Sequence, residues 1–200
     1  MAALAALRLA APAHAGTPAI AFAPGTDEEV VQRAGVRFST TDLAGPSCHE
    51  AIGAAPEPGE ASIAFEFRLA DGRRIASGRY AGRVSFSLTD IVITMPQSIS
   101  WPHMTAADRE RAEALRGAIY HHEVGHVRVA EAVRDALNAH DTLTAETPAA
   151  LQAAADAFGR DGFARFKREE RNYDALVAHG RLQHVAPGAL AGPDTVIRCS

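Results

Sequence analysis

The chain has 200 residues, 47% of them hydrophobic and 22% charged, a composition able to bury one core and predicting one globular domain. The formal net charge of -4 and the scattered arginines offer no basic stripe, which excludes nucleic acid as a partner on electrostatic grounds. No run reaches the roughly 18 apolar residues of a membrane helix, so stable membrane insertion is not expected; composition leaves the oligomeric state unspecified.

Residues 1–15 are rich in Ala, Leu and Pro and end in Ala13-His14-Ala15, the small-x-small form of a signal-peptidase site. They read as an export leader, with residues 16–200 as a single mature domain in a secreted or periplasmic location. No positive charge precedes the apolar stretch and Arg8 interrupts it, which reads as the tail of a longer leader starting upstream; a disordered Ala-rich terminus is the competing reading. Cys48 and Cys199 lie outside metal-type spacing; they form either a bridge from the early chain to its end or two buried thiols.

Residues 16–60 carry much of the Pro and Gly and predict a loop-rich lead-in with one strand near Val36 and Phe38. Period-two alternation then begins: Ile63, Phe65, Phe67 and Leu69 share one face of a strand, with Ala64, Glu66 and Arg68 on the other. Asp71-Gly72 supplies a hairpin turn, and Val84, Phe86, Leu88 and Ile91-Val92-Ile93 continue an antiparallel meander over residues 61–95. Thr105 with Asp108 three positions on predicts a helix N-terminus, and good helix formers run from there to about Asn138. Thr147-Pro148 starts a second helical region that reaches His179-Gly180, with Gly159 and Gly162 dividing its middle. The expected fold class is α+β: an N-terminal antiparallel sheet, a long active-site helix and a second helical segment.

The first long helix carries His122-Glu123-Val124-Gly125-His126. Positions i and i+4 lie almost above one another, so His122 and His126 can direct ring nitrogens at one metal ion. Glu123, one step round the helix, reaches a water on that ion and serves as general base; zinc brings the water's pKa to about 7. Ile119, Val127, Val129 and Val133 supply apolar surface that buries this helix.

An open zinc site takes three protein ligands, so one more is required. A metzincin continuation is ruled out, because Val129 and Ala132 stand where Gly and a third His belong. A downstream acid is the alternative, with Glu146, Glu169 and Glu170 available. Asp174 and His179, at the far end of the second helical region, are the main candidates. His179 beside Gly180 is preferred as ligand with Asp174 orienting a ligand His; in the converse arrangement Asp174 ligates and His179 binds an oxyanion. Both are surface residues in the bland reading. His121 points away from the metal pair, His103, His140 and His184 read as surface residues, Tyr173 as packing at a helix junction, and Trp101 as an anchor of the strand-to-helix connection.

Ile93-Thr94-Met95-Pro96, Trp101, the His-Glu-x-x-His helix and Tyr173-Asp174 followed by His179-Gly180 together resemble a bacterial family of secreted zinc-dependent proteases catalogued as a domain of unknown function. The resemblance covers roughly residues 35–185. It implies a zincin-like fold, one zinc site built on His122, Glu123 and His126 with Asp174 and His179 as further motif positions, export, and peptidase activity. The expected function is a zinc metallopeptidase acting on a peptide or protein substrate, which would pair with a free edge at Thr89–Met95 by analogy with zincin clefts. The alternative is a zinc-stabilised envelope binding or assembly module without turnover. Hydrolysis of a non-peptide amide, such as a cell-wall cross-link, uses the same residues.

Overall fold

The computed structural model describes residues 21–53, 59–140 and 142–177. Residues 1–15, read above as a leader, and His179, His184 and Cys199 lie outside the described residues; among those described, no cysteine is a free thiol. The class is α+β, in the order α1 (Asp27–Ala34), β1 (Arg37–Ala44), α2 (Cys48–Gly53), β2 (Glu60–Arg74), β3 (Tyr80–Ser100), α3 (Ala106–Asn138), β4 (Leu143–Ala145) and α4 (Pro148–Val177).

β3 is the spine of the sheet. β2 runs antiparallel to it, from Arg74 opposite Tyr80 to Glu60 opposite Thr94, and β4 adds a short antiparallel pairing at Tyr80–Gly82. β1 instead runs parallel to the end of β3, from Arg37 opposite Val92 to Ala44 opposite Ser100. The sheet is therefore mixed. Parallel neighbours need a long crossover, and here α2 and β2 intervene between β1 and β3. The free edge expected at Thr89–Met95 is not there: Val92, Ile93 and Thr94 have strand neighbours on both sides.

Three local expectations change. The hairpin turn lies at Ile75–Arg79, where Gly78 takes φ 82° and Ile75 N donates to Arg79 O at 2.8 Å. Asp71-Gly72 instead forms an irregularity within β2, with Asp71 at φ 57°; an Asp-Gly pair suits a left-handed bulge as well as a turn. β3 continues beyond Pro96 because the register against β1 shifts between Thr41 and Asp42, next to the residue that lacks an N–H. The lead-in, expected as loop, contains α1, whose capping box links Thr26 and Glu29 and whose end is Gly35 in the left-handed conformation.

α3 crosses the sheet and is enclosed on two sides. Toward α4 it joins Phe65, Val84, Phe86, Val133 and Phe166 in one apolar cluster; toward α1 it joins Val30, Ile91 and Ile93 in another. At its C-terminal end the Asn138 amide exchanges two hydrogen bonds with the Phe86 backbone, at 2.8 and 2.9 Å, which pins α3 to β3. Trp101 packs against Leu43, Ile99 and Ala112 at the strand-to-helix connection.

α4 is continuous through Gly159 and Gly162, contrary to the expected division. A methyl group at Gly159 would lie 2.1 Å from the Phe67 ring, and one at Gly162 would lie 2.5 Å from Phe86. The two glycines thus let aromatic rings of the sheet approach the helix backbone, and the packing offsets their weak helix propensity. Gly162→Ala is expected to destabilise the protein: Phe86 is 2% exposed and has no room to swing, so overpacking of about 1–3 kcal/mol outweighs the propensity gain of about 1 kcal/mol. A lower urea midpoint at unchanged m-value is the expected result.

Charged residues fasten α1 across α3. Asp27 Oδ1 accepts from Arg128 Nε at 3.2 Å and Nη2 at 2.7 Å, its other oxygen meets His121 Nδ1, and Arg128 Nη1 donates to Ala23 O at 2.9 Å. Arg33 donates to Glu131 from Nε at 3.1 Å and Nη2 at 2.6 Å. Asp27, Arg128 and Glu131 are all buried, a placement that charged groups adopt only when paired.

Candidate metal centre

α3 begins at the expected cap: Thr105 Oγ1 accepts from Asp108 N at 3.1 Å, and Asp108 Oδ2 accepts from Thr105 N at 2.9 Å. Hydrogen bonds from the Thr105 side chain and backbone hold the Asp108 carboxyl below its ordinary range. From this start the helix runs without a break, and residues 123–125 and 127–131 are buried. His-Glu-x-x-His therefore lies inside the protein.

The helical repeat places His122 and His126 side by side, with ring centroids 4.9 Å apart. α4 brings Asp174 to them from 48 residues further along the chain than His126: Asp174 Oδ1 lies 3.1 Å from His126 Nε2 and 3.5 Å from His122 Nε2. One ligand atom from each of the three falls within 4.8 Å of the others, and this is the group of metal-ligating type found among the described residues. Two imidazole nitrogens and one carboxylate oxygen form a donor set that zinc accepts in open sites. Bonds of about 2.0–2.1 Å in a tetrahedron separate donor atoms by roughly 3.3 Å, and the two Asp174 distances bracket that value. The donor set fits.

The other acids named from the sequence are engaged elsewhere. Glu146 pairs with Arg79 at 2.9 Å, Glu170 with Lys167 at 2.8 Å, and Glu169 accepts from Asn172 at 3.2 Å. His121 turns to Asp27, away from the cluster. His140, expected at the surface, is half-buried and tilts against Phe158 with centroids 4.3 Å apart.

Glu123, beside His122, is 4% exposed. The chain entering β2 presses on it, since a methyl group at Gly59 would lie 2.7 Å from Glu123 Oε1 and 2.5 Å from Ile119. Tyr173 fills the space between α3 and α4. Its ring stacks on His122 at 5.3 Å and 18°, meets His126 edge-on at 4.9 Å, and its hydroxyl donates to the His122 carbonyl at 3.2 Å. The hydroxyl is thus tied to the α3 backbone and the ring packs at the junction of α3 and α4. Gly125, between the two histidines, is what admits it: a methyl group there would lie 1.9 Å from the Tyr173 oxygen. The importance of Gly125 and Gly59 is not read from the sequence; for Gly125 the signal is a glycine held inside a helix at a cost of about 1 kcal/mol relative to alanine, while Gly59, between α2 and β2, carries no such signal.

Burial pushes the His126 imidazolium down, but the hydrogen bond and charge of Asp174, with the charges of Glu123 and Glu170, outweigh it, and the net shift is upward. In the metal-free protein, protonated His126 thus adds stability that is present below the ordinary histidine range and lost as pH rises through the raised pKa. A metal ion competes with that proton. Zinc uptake at a pH where His126 is protonated is expected to expel about one proton and to weaken as pH falls, as read by calorimetry in buffers of different ionisation enthalpy. Uptake without proton release would contradict this.

An α+β fold with a His2Asp cluster and a buried carboxylate beside it defines a candidate metal-site protein. The chain belongs to a bacterial family of unknown function: the family described as "Bacterial protein of unknown function (DUF922)" matches residues 53–180. No curated protein matches the chain, and neither does any solved structure. The matched span contains α3, α4 and all the candidate site residues, whereas α1 and β1 precede it. Among the described residues no helix is long and apolar enough to cross a membrane.

Proposed function

We propose that the protein is a zinc-dependent hydrolase of amide bonds, a peptidase, with His122, His126 and Asp174 holding the ion and Glu123 as general base. The observation that carries this reading is the convergence of Asp174 from α4 on both Nε2 atoms of the α3 pair. Bound there, zinc would act as a Lewis acid toward a carbonyl oxygen and lower the pKa of water to about 7. Glu123 takes the proton from the attacking water and returns it to the leaving amine, and its burial keeps bulk solvent from competing for that proton. Two imidazoles with a carboxylate are the donor types of open zinc sites, whereas structural zinc sites are built with cysteine, and this favours turnover over a structural zinc in a binding module. Peptide substrates and export follow from the family resemblance of the motif and from the leader-like residues 1–15.

Glu123→Gln tests the reading. It keeps the shape of the side chain and removes the base, so zinc stoichiometry is expected to stay at one per chain while hydrolysis of a mixed peptide substrate falls by about 10²–10⁴-fold. Wild-type rates in the variant would rule out Glu123 as the base. A wild-type protein that binds zinc and cleaves nothing, while His126→Ala loosens the fold, would support the envelope binding module instead.

A further inference from the structure

The geometry points to Tyr173 as a positioning residue with Gly125 as its socket: together they set the separation of α3 and α4 and thereby aim Asp174 at His122 and His126. This rests on the metal-centre reading above. Tyr173 is 1% exposed and precedes Asp174 directly, so a movement of its ring moves the carboxylate. The ring lies flat on His122 and edge-on to His126, and the hydroxyl is tied to the His122 carbonyl at 3.2 Å, so one side chain touches both histidines and the backbone of α3. Among the described residues His126 Nδ1 is buried with no hydrogen-bond partner, and the ring of Tyr173 is what packs against this imidazole from α4. Gly125 closes the logic. The Tyr173 oxygen and Cζ would lie 1.9 and 2.3 Å from any Cβ at this position, and no side chain other than hydrogen leaves α4 where it is.

The test is Co²⁺ binding by the full chain, read as affinity and as the visible d–d band, which reports the ligand field and does not depend on hydrolysis. Gly125→Ala and Tyr173→Leu are each expected to weaken Co²⁺ binding by about 10–100-fold and to alter the band, with far-UV circular dichroism retained. Tyr173→Phe keeps the ring and is expected to stay within about threefold of wild type. In the Tyr173→Leu background, Gly125→Ala is expected to add less than about twofold, because the clash partner is gone. Wild-type affinity and band in Tyr173→Leu would overturn the inference even if Gly125→Ala failed to fold, and so would a full Gly125→Ala penalty in the Tyr173→Leu background. A wild-type chain that takes up neither Co²⁺ nor Zn²⁺ would overturn the metal centre and this inference with it; indifferent variants of a metal-binding wild type would overturn this inference alone.

Discussion

Asp174→Ala is expected to weaken zinc binding by more than the roughly 10–100-fold that follows loss of a group which only orients a ligand. The variant leaves two imidazoles on one helix turn and removes the donor that α4 contributes, so the ion loses both a bond and the link between the helices. The fold should persist, because Asp174 is 27% exposed and the apolar cluster around Phe166 and Tyr173 does not depend on its charge. Asp174→Asn separates charge from shape: it retains an oxygen donor and is expected to fall between Asp174→Ala and wild type. Competition with a chromophoric chelator measures all three. Unchanged affinity in Asp174→Ala would transfer the role of third ligand to another side chain, with His179 the first candidate by sequence.

Asp27→Ala is expected to produce the largest loss of stability, although the residue is far from Asp174 in the chain. Its carboxylate is buried against the Arg128 guanidinium and His121, and truncation leaves Arg128, 6% exposed, without its charge partner. Breaking a buried pair from one side costs about 3–5 kcal/mol. For a chain of this size that corresponds to a melting temperature lower by roughly 6–20 °C. The double variant Asp27→Ala/Arg128→Met, which removes both charges and keeps apolar volume, is expected to recover much of the loss. A single variant with wild-type melting would show that α1 contributes little to holding α3. α1 precedes the span matched by the family, whereas Arg128 and His121 lie within it, so this attachment ties a segment outside that span to a helix inside it.

Local patterns were legible in the sequence, and relations between distant elements were not. The caps at Thr105 and Thr147 depend on neighbours three residues away, and both form as expected, Thr147 accepting from Ala150 N at 3.1 Å. The placement of His122 and His126 on one face follows from the helical repeat alone. The parallel pairing of β1 with β3 depends on a partner more than fifty residues away and has no local signature, so a meander was expected. Asp71-Gly72 and Gly159 misled for a related reason. Each is compatible with two backbone outcomes, and tertiary packing selects one: a bulge beside the true turn, and an unbroken helix against Phe67. The capping box at Thr26–Glu29 is a local signal of the same kind, masked by surrounding Pro and Gly that read as loop. Sequence spacing offers Asp174 and His179 as the third donor, but the choice between them depends on the rotation of α4 about its own axis relative to α3. That rotation is set by Tyr173 against Gly125, and it turns Asp174 toward the histidine pair.

Zinc K-edge X-ray absorption on the full chain loaded with one equivalent of zinc tests the metal centre most directly. The expected coordination shell contains two imidazole nitrogens and carboxylate oxygen at about 2.0–2.2 Å, with loss of the imidazole multiple-scattering signal in His122→Ala/His126→Ala. A shell without imidazole in the wild type, or one unchanged in the double variant, would contradict a centre built on His122, His126 and Asp174.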